Sequence, residues 1–298
     1  MVKMVSHESL ACIISRLLAS LPRESVFGLP NLYALDGKSR KAAPTDTGKN
    51  EIDVSVYDVA TKVSIEKIAV GAKEGEAPIA RELIKKVSPR LDKGYFSADA
   101  GIACRDFAIT VDESGHDFIA FIKGNAGKIY DEMGALPWQD ADSWFSSEKG
   151  HGRKETRLTK ILRIREEVAN EIIPSSLSYP AELIYGSIFR TRQDVKTGQI
   201  SSQQSWFLAS EKNGSLSAQV MDALVRGHWC IENELHRHRD VELGEDALAK
   251  MSTQASRVIG SILDLAQWLA GGCGRGIRYF MEQLRSSSVN MLKRWQLI

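Results

Sequence analysis

Several things that would classify a chain at once are scarce here. The 298 residues hold only four cysteines, Cys12, Cys104, Cys230 and Cys273, and no pair has Cys-x-x-Cys spacing. That argues against a disulfide-stapled secreted domain and suits reduced, buried thiols. Cys230 stands near His236 and His238, but no second ligand pair lies at zinc-finger spacing. No apolar run reaches the roughly 18 residues a membrane helix needs. The basic, apolar and small regions of a signal peptide are missing as well, because Arg16, Arg23 and Glu24 interrupt the early apolar segment. A cytoplasmic location with no membrane partner is therefore expected. Charge of one sign is not in excess either: the formal net charge is +1. No internal repeat or low-complexity tract is visible.

What remains is an ordinary globular composition, 43% hydrophobic and 26% charged, long enough for one large domain or two small ones. The charge is unevenly spread. Between residues 149 and 165, Lys149, Arg153, Lys154, Arg157, Lys160, Arg163 and Arg165 face a single acid, Glu155. Such a run is either a solvated strand face or the electrostatic footprint of a phosphate backbone.

Periodicity orders the chain. Leu10, Ile13, Ile14, Leu17 and Leu18 mark a short amphipathic helix over 8–20. Residues 31–36 read as a strand ended by Asp36-Gly37. Val54 and Val56, then Val63, Ile65, Ile68 and Val70, form a hairpin about a turn at 58–62. Ile79, Leu83, Ile84 and Val87 give a helix from Pro78 to near Pro89. A strand at 95–99, a helix over 102–111 and a buried strand at 117–123 follow. This alternation after a hairpin implies a mixed sheet flanked by helices, with Asp36 and Asp99 at the ends of core strands. Residues 126–215 break the pattern and look like a β-rich insertion, with hairpin arms at 183–190 and 203–208 around Thr197-Gly198. Helices at about 247–269 and near the C-terminus close the chain.

The stretch from Arg226 to Asp246 is the odd one. Val220, Leu224, Ile231 and Leu235 form one apolar stripe of a helix. At about 100° per residue, Glu232 falls beside that stripe in an arc with His228, Trp229, His236 and Arg239. Taken alone, Glu232 reads as a half-exposed acid paired with Arg239.

Four stretches together point further. They are Asp36-Gly-Lys-Ser-Arg40; Ser97-Ala-Asp-Ala-Gly101 with Phe121-Ile-Lys-Gly-Asn125; His151-Gly-Arg-x-Glu-x-Arg157; and His228-Trp-x-Ile-Glu-Asn-x-Leu-His236 with Asp240-Val and Glu245-Asp246. In order and spacing they resemble the DDE transposases of bacterial insertion sequences, specifically the H-repeat-associated group, over roughly residues 25–270. The resemblance implies a ribonuclease-H-like α/β core: a mixed sheet flanked by helices, a β-rich insertion before the last catalytic helix, and a helical C-terminus. It divides the chain into a remnant of an N-terminal helical region (1–30), the first part of the core (31–125), the insertion (126–215) and the core completion with C-terminal helices (216–298).

The same resemblance puts Asp36, Asp99 and Glu232 at the positions of the catalytic, metal-binding triad, with Mg²⁺, or Mn²⁺, as cofactor. Three carboxylates suit two hard cations about 4 Å apart, and without metal they raise one another's pKa and await ordering by it. DNA contacts are implied for Lys123, Asn125, His151, Arg153, Arg157 and His228, with Trp229 stacking on a base. Asp240, Glu245 and Asp246 are expected to cap the following helix. The sequence departs from the family where Val225, His228 and Arg239 stand at the outer positions of a Tyr–Arg–Glu–Lys signature. It also departs where Arg237 replaces an aromatic and Ala126 a glutamine. Family members carry a further N-terminal helical domain, whereas 35 residues precede Asp36 here, so an N-terminal truncation is expected. The function implied is metal-dependent cleavage at terminal inverted repeats and strand transfer into target DNA, by a homodimer on DNA. The alternatives are an inactive remnant that binds DNA or the full-length enzyme, and a stand-alone ribonuclease-H-like nuclease.

Overall fold

A computed structural model gives the architecture. It describes residues 29–44, 50–70, 75–150, 152–176, 179–180, 182–212, 216–245 and 252–272, with Ile13, Tyr279 and Glu282. The helices expected over 8–20 and at the C-terminus lie outside the described residues apart from those single positions.

Nine strands form one sheet: β1 (Asn31–Pro44), β2 (Asn50–Asp58), β3 (Val63–Val70), β4 (Gly94–Ala98), β5 (Asp117–Ile122), β6 (Asp142–Gly150), β7 (Arg153–Leu162), β8 (Leu183–Asp194) and β9 (Ile200–Ser210). Their order across the sheet is 3-2-1-4-5-9-8-7-6. β1, β2 and β3 form an antiparallel meander, β4 and β5 run parallel to β1, and β9 joins β5 antiparallel. Strands β6–β9 of the 126–215 segment thus continue the same sheet. The helices are α1 (Glu76–Val87), α2 (Arg105–Glu113), α3 (Lys128–Gly134), α4 (Glu166–Ile172), α5 (Ala218–His228) and α6 (Thr253–Gly272). The structure is the expected mixed sheet flanked by helices. Among the described residues no helix is long and apolar enough to cross a membrane.

The period-2 alternation of β1 decides which helix covers which face. Tyr33 and Leu35 join Val54, Val56, Phe96 and Phe118 in one core beneath α1 and α2, where Leu83, Ile84, Val87, Phe107 and Val111 are buried. Leu32 and Ala34 point the other way, towards α5 and its continuation, with Met221, Leu224, Val225, Ile231 and Leu235. Each such side chain contributes roughly 1.5–3 kcal/mol on burial, so the sheet is clamped from both sides.

Two local expectations change. Asp36-Gly37 does not end its strand. The ladder with β4 stops at Leu35–Ala98, but pairing with β2 runs on from Asp36–Ser55 to Arg40–Glu51. Asp36 therefore sits where β1 parts from β4, beside the turn that holds Asp99. The helix expected from 102 begins at Arg105, because Asp99 first builds a turn: its Oδ1 accepts from the Gly101 and Ile102 amides at 2.9 and 3.3 Å.

Candidate active site

The third acid comes from α5. Ser217 caps this helix by accepting from the Val220 amide, and it packs on β1, β4 and the strands of the insertion, with Ile161 of β7, Ile184 of β8 and Phe207 of β9 in the same core. Past His228 the helix widens to i→i+5 hydrogen bonding over Ile231–His236 and His238–Glu242, with the Arg237 amide on the Glu232 carbonyl. Wide turns of this kind are uncommon and concentrate at functional sites. Widening also changes the direction of every later side chain, which is why the expected Glu232–Arg239 pair is not formed. Arg239 is 0% exposed and grips Glu245 from Nε and Nη2 at 2.8 and 2.5 Å, with Asp53 and Asp264 beside it.

Glu232 instead stands exposed at the lip of the cleft that Asp99 also lines, about 470 Å³ in volume. Desolvation raises its carboxyl above the usual carboxylate range, and the charge of Asp36 raises it further. His236 and Lys123 pull the other way, and Asp99 adds a last upward push. So Glu232 lies in the field of both Asp36 and Asp99. Asp36 touches His236, Oδ2 to Nδ1 at 3.3 Å. Asp99 faces the exposed Lys123 ammonium at 3.8 Å. Among the described residues no cation or donor pairs with Glu232. An all-oxygen, under-neutralised donor set of this kind suits a hard divalent cation. Among the described residues no three His, Cys, Asp or Glu side chains are gathered closely enough to hold an ion as they stand.

A fourth carboxylate escaped the sequence reading. Glu76, the first residue of α1, lies against Gly37, and desolvation followed by the charges of Asp99 and Asp36 raises its carboxyl. Its only sequence signal is an acid opening a helix.

The residues expected to meet DNA divide. His228 is 1% exposed, and its Nδ1 is held by Ser97 Oγ at 2.9 Å. Burial holds its pKa down at about 4 although Asp36 and Asp99 pull upward. A buried, neutral ring that anchors the helix to β4 replaces the expected phosphate contact. Trp229 is half-buried on the cleft wall, its ring 5.7 Å from that of Phe121 and 5.4 Å from that of His228. Asn125 lies in a short 3₁₀ turn, Gly124–Ala126, just past Lys123, and its side chain is outside the described set. His151 is outside the described residues, as is Asp246. Asp240 and Glu245 bind Lys38 and Arg239.

The basic run also divides. Arg163 forks onto Glu211, both contacts at 2.7 Å, and Lys160 donates to the Trp138 carbonyl at 3.0 Å. Arg157 points into the cleft, where β8 adds Arg190 and Arg192, two guanidinium groups the run did not contain. Register aligns Arg157 with Arg190 and Glu155 with Arg192, so all lie on the sheet face that carries α5. Glu155 accepts from both Arg157 Nε (2.7 Å) and Arg192 Nε (2.6 Å), which leaves the strip net positive. Burial lowers the Arg190 pKa, and the nearby Arg192, Arg157 and Arg153 add to the effect while Glu155 opposes it. Arg153 is exposed farther out on the same face.

A profile of the family described as "Transposase DDE domain" matches residues 28–258. The chain belongs to the DDE transposase family. This DDE transposase-family chain is 25% identical over 257 residues to "Putative transposase YncI" of Escherichia coli O157:H7, covering 81% of itself and 62% of that protein. It is 24% identical over 247 residues to "H repeat-associated putative transposase YhhI" of Escherichia coli K12, covering 79% and 63%. It thus spans about three fifths of the length of these curated relatives. Among solved structures, a piggyBac transposase synaptic complex with hairpin DNA is similar at a TM-score of 0.42 and 10% identity, over 89% of this chain and 54% of that one.

Proposed function

We propose that this chain is the catalytic part of an insertion-sequence DNA transposase, which nicks DNA at terminal inverted repeats and joins the freed 3′-hydroxyl to target DNA. The observation that supports this reading is that Asp99 and Glu232 line one cleft, with the charge of Asp36 acting on Glu232 and, among the described residues, too little positive charge beside them to neutralise all three. Two divalent cations, Mg²⁺ or Mn²⁺, would supply the activation of the attacking oxygen and the stabilisation of the leaving one. Asp36 would hold them from β1 and Asp99 from the turn just past the adjacent β4, and Glu232 from the wide helix above. Ser97 and His228 fix that helix to β4, so the third acid is positioned from the second strand. The arginine strip of Arg157, Arg190 and Arg192 supports a path for the phosphate backbone leading away from the acids, and Arg153 would extend it. Trp229 offers an aromatic face for an unpaired end base. Action as a homodimer on DNA completes the proposal.

The test is a nicking assay on a duplex carrying the element's terminal inverted repeat. Cleavage is expected with Mg²⁺ or Mn²⁺ and is lost in Asp36→Asn. Cleavage that survives this substitution rejects the triad. DNA binding without any cleavage by the native chain selects a binding-only protein instead.

A further inference from the structure

The glycine after each aspartate of the cleft is occupied territory. Gly37 lies in extended strand backbone, and neither it nor Gly101 has a positive φ, so conformation does not explain either glycine. Space does. A Cβ on Gly37 would lie 2.7 Å from both Cδ and Oε2 of Glu76 and 2.9 Å from its Oε1. A Cβ on Gly101 would lie 3.2 Å from Asp99 Oδ1 and 3.8 Å from Glu76 Oε2. The carboxylate of Glu76 thus fills the gap opened by Gly37 and reaches the loop that carries Asp99. No hydrogen-bond donor or basic side chain among the described residues pairs with it. An acid in the first turn of a helix gains from the helix dipole, but that gain needs only exposure at the helix end. It does not call for insertion between two aspartate-bearing segments that repel it.

We propose that Glu76 is a fourth carboxylate of the metal site, ligating a divalent cation together with Asp36 and Asp99. The inference rests on the metal-dependent reading above, and goes beyond the three acids of that reading. Glu76 enters from the α1 side of the sheet and Glu232 from the α5 side. Together with the two strand aspartates they would enclose the cation from both faces.

The experiment is a thermal-shift titration of the full chain with MgCl₂ and with CaCl₂, read as melting temperature and so independent of cleavage. The native chain is expected to show a saturable rise, and Asp36→Asn to lose it. Glu76→Gln should raise the half-saturating metal concentration by about 10- to 100-fold, the size of loss seen when groups supporting a metal site are removed. It should also melt higher than the native chain without metal, because one repelling charge is gone. Glu76→Asp, with charge kept and reach shortened, should fall between the two. Gly37→Ala keeps all four acids and the helix-end charge but places a methyl group where the carboxylate lies, so it should reproduce the weakened metal response. This second variant decides the matter if Glu76→Gln folds poorly. Native half-saturation in both Glu76→Gln and Gly37→Ala, with loss in Asp36→Asn, overturns this inference alone. Absence of any metal response in the native chain overturns it together with the metal-dependent function.

Discussion

Asp36 and Arg40 leave the same face of β1 four residues apart, and their surroundings differ completely. Around Arg40 every charge has an opposite. Arg40 pairs with Asp53, Lys67 with Asp264 at 2.5 Å, Lys38 with Asp240 at 2.5 Å, and Arg239 with Glu245 at 2.5 Å. α6 closes over them at Gly260, where a Cβ would meet Arg239, Arg40 and Lys67 at 3.0–3.4 Å. Around Asp36, among the described residues, four carboxylates share Lys123 and His236 as their basic neighbours. Burial alone would raise the Asp53 carboxyl, yet Arg40, Lys67 and Arg239 overcome it and hold it at about 2. Glu76 and Glu232 shift upward instead. A buried charge that serves the fold must be matched by the fold. A carboxylate left unmatched in a cleft has its partner elsewhere, and perturbed groups of that kind mark functional sites.

The largest effect expected from this contrast is kinetic. Asp36→Asn should reduce metal-dependent nicking by at least about 1,000-fold, equivalent to roughly 4 kcal/mol of lost barrier stabilisation, while urea denaturation shows an undiminished folding stability. A stability loss comparable to the activity loss would erase the distinction between the two regions. Arg239→Met should do the reverse in urea, costing about 3–5 kcal/mol, because Asp53, Glu245 and Asp264 stay buried with less positive charge. If it left stability intact and abolished cleavage, Arg239 would belong with the cleft.

Acid should separate the regions by window. The folded-state pKa of His228 lies at about 4, below its ordinary 6.5. The unfolded chain therefore takes up this proton first, and the stabilisation is complete above pH 6.5 and lost as pH falls towards 4. The full loss is about 3 kcal/mol. Asp53 is likewise depressed, so its contribution is present above pH 3.8 and lost as pH falls towards 2. Urea titrations of the native chain and of His228→Gln across pH 7 to 3 check this: the variant should lose the upper step and keep the lower. A fourth, smaller effect concerns the strip beyond the acids. Replacing Arg190 and Arg192 by Ala should weaken DNA binding by about tenfold at moderate salt and lower the log–log salt slope by about 0.9 for each phosphate no longer neutralised. An unchanged slope would remove the strip from the DNA path.

The elements with clean periodicity were legible without coordinates. The hairpin at 54–70, the helix ending near Pro89, the buried strand at 117–122 and the turn at Thr197-Gly198 follow from alternation, proline and glycine, all local effects. The positions proposed for the site were legible where a motif carried them: Asp99 and Glu232 line one cleft, and the charge of Asp36 reaches Glu232. Glu76 was not, since one acid opening a helix looks like dipole compensation until Gly37 is seen to make room for its carboxylate. Arg190 and Arg192 were missed because strand pairing, not sequence distance, sets them beside Arg157. His228 read as a phosphate contact because its burial depends on β4, 131 residues away.

From residue order alone came the fold class, the strands that carry two aspartates, and the family. These rest on short-range patterning and on motif spacing, which chain order preserves. Which charges are matched and which are left open came only from the tertiary structure. Charge pairing depends on distances across the sheet and on the widened helix, and helical periodicity had paired Glu232 with Arg239. Packing sends Arg239 into the buried network beneath α6 and leaves Glu232 at the cleft with no counter-ion among the described residues.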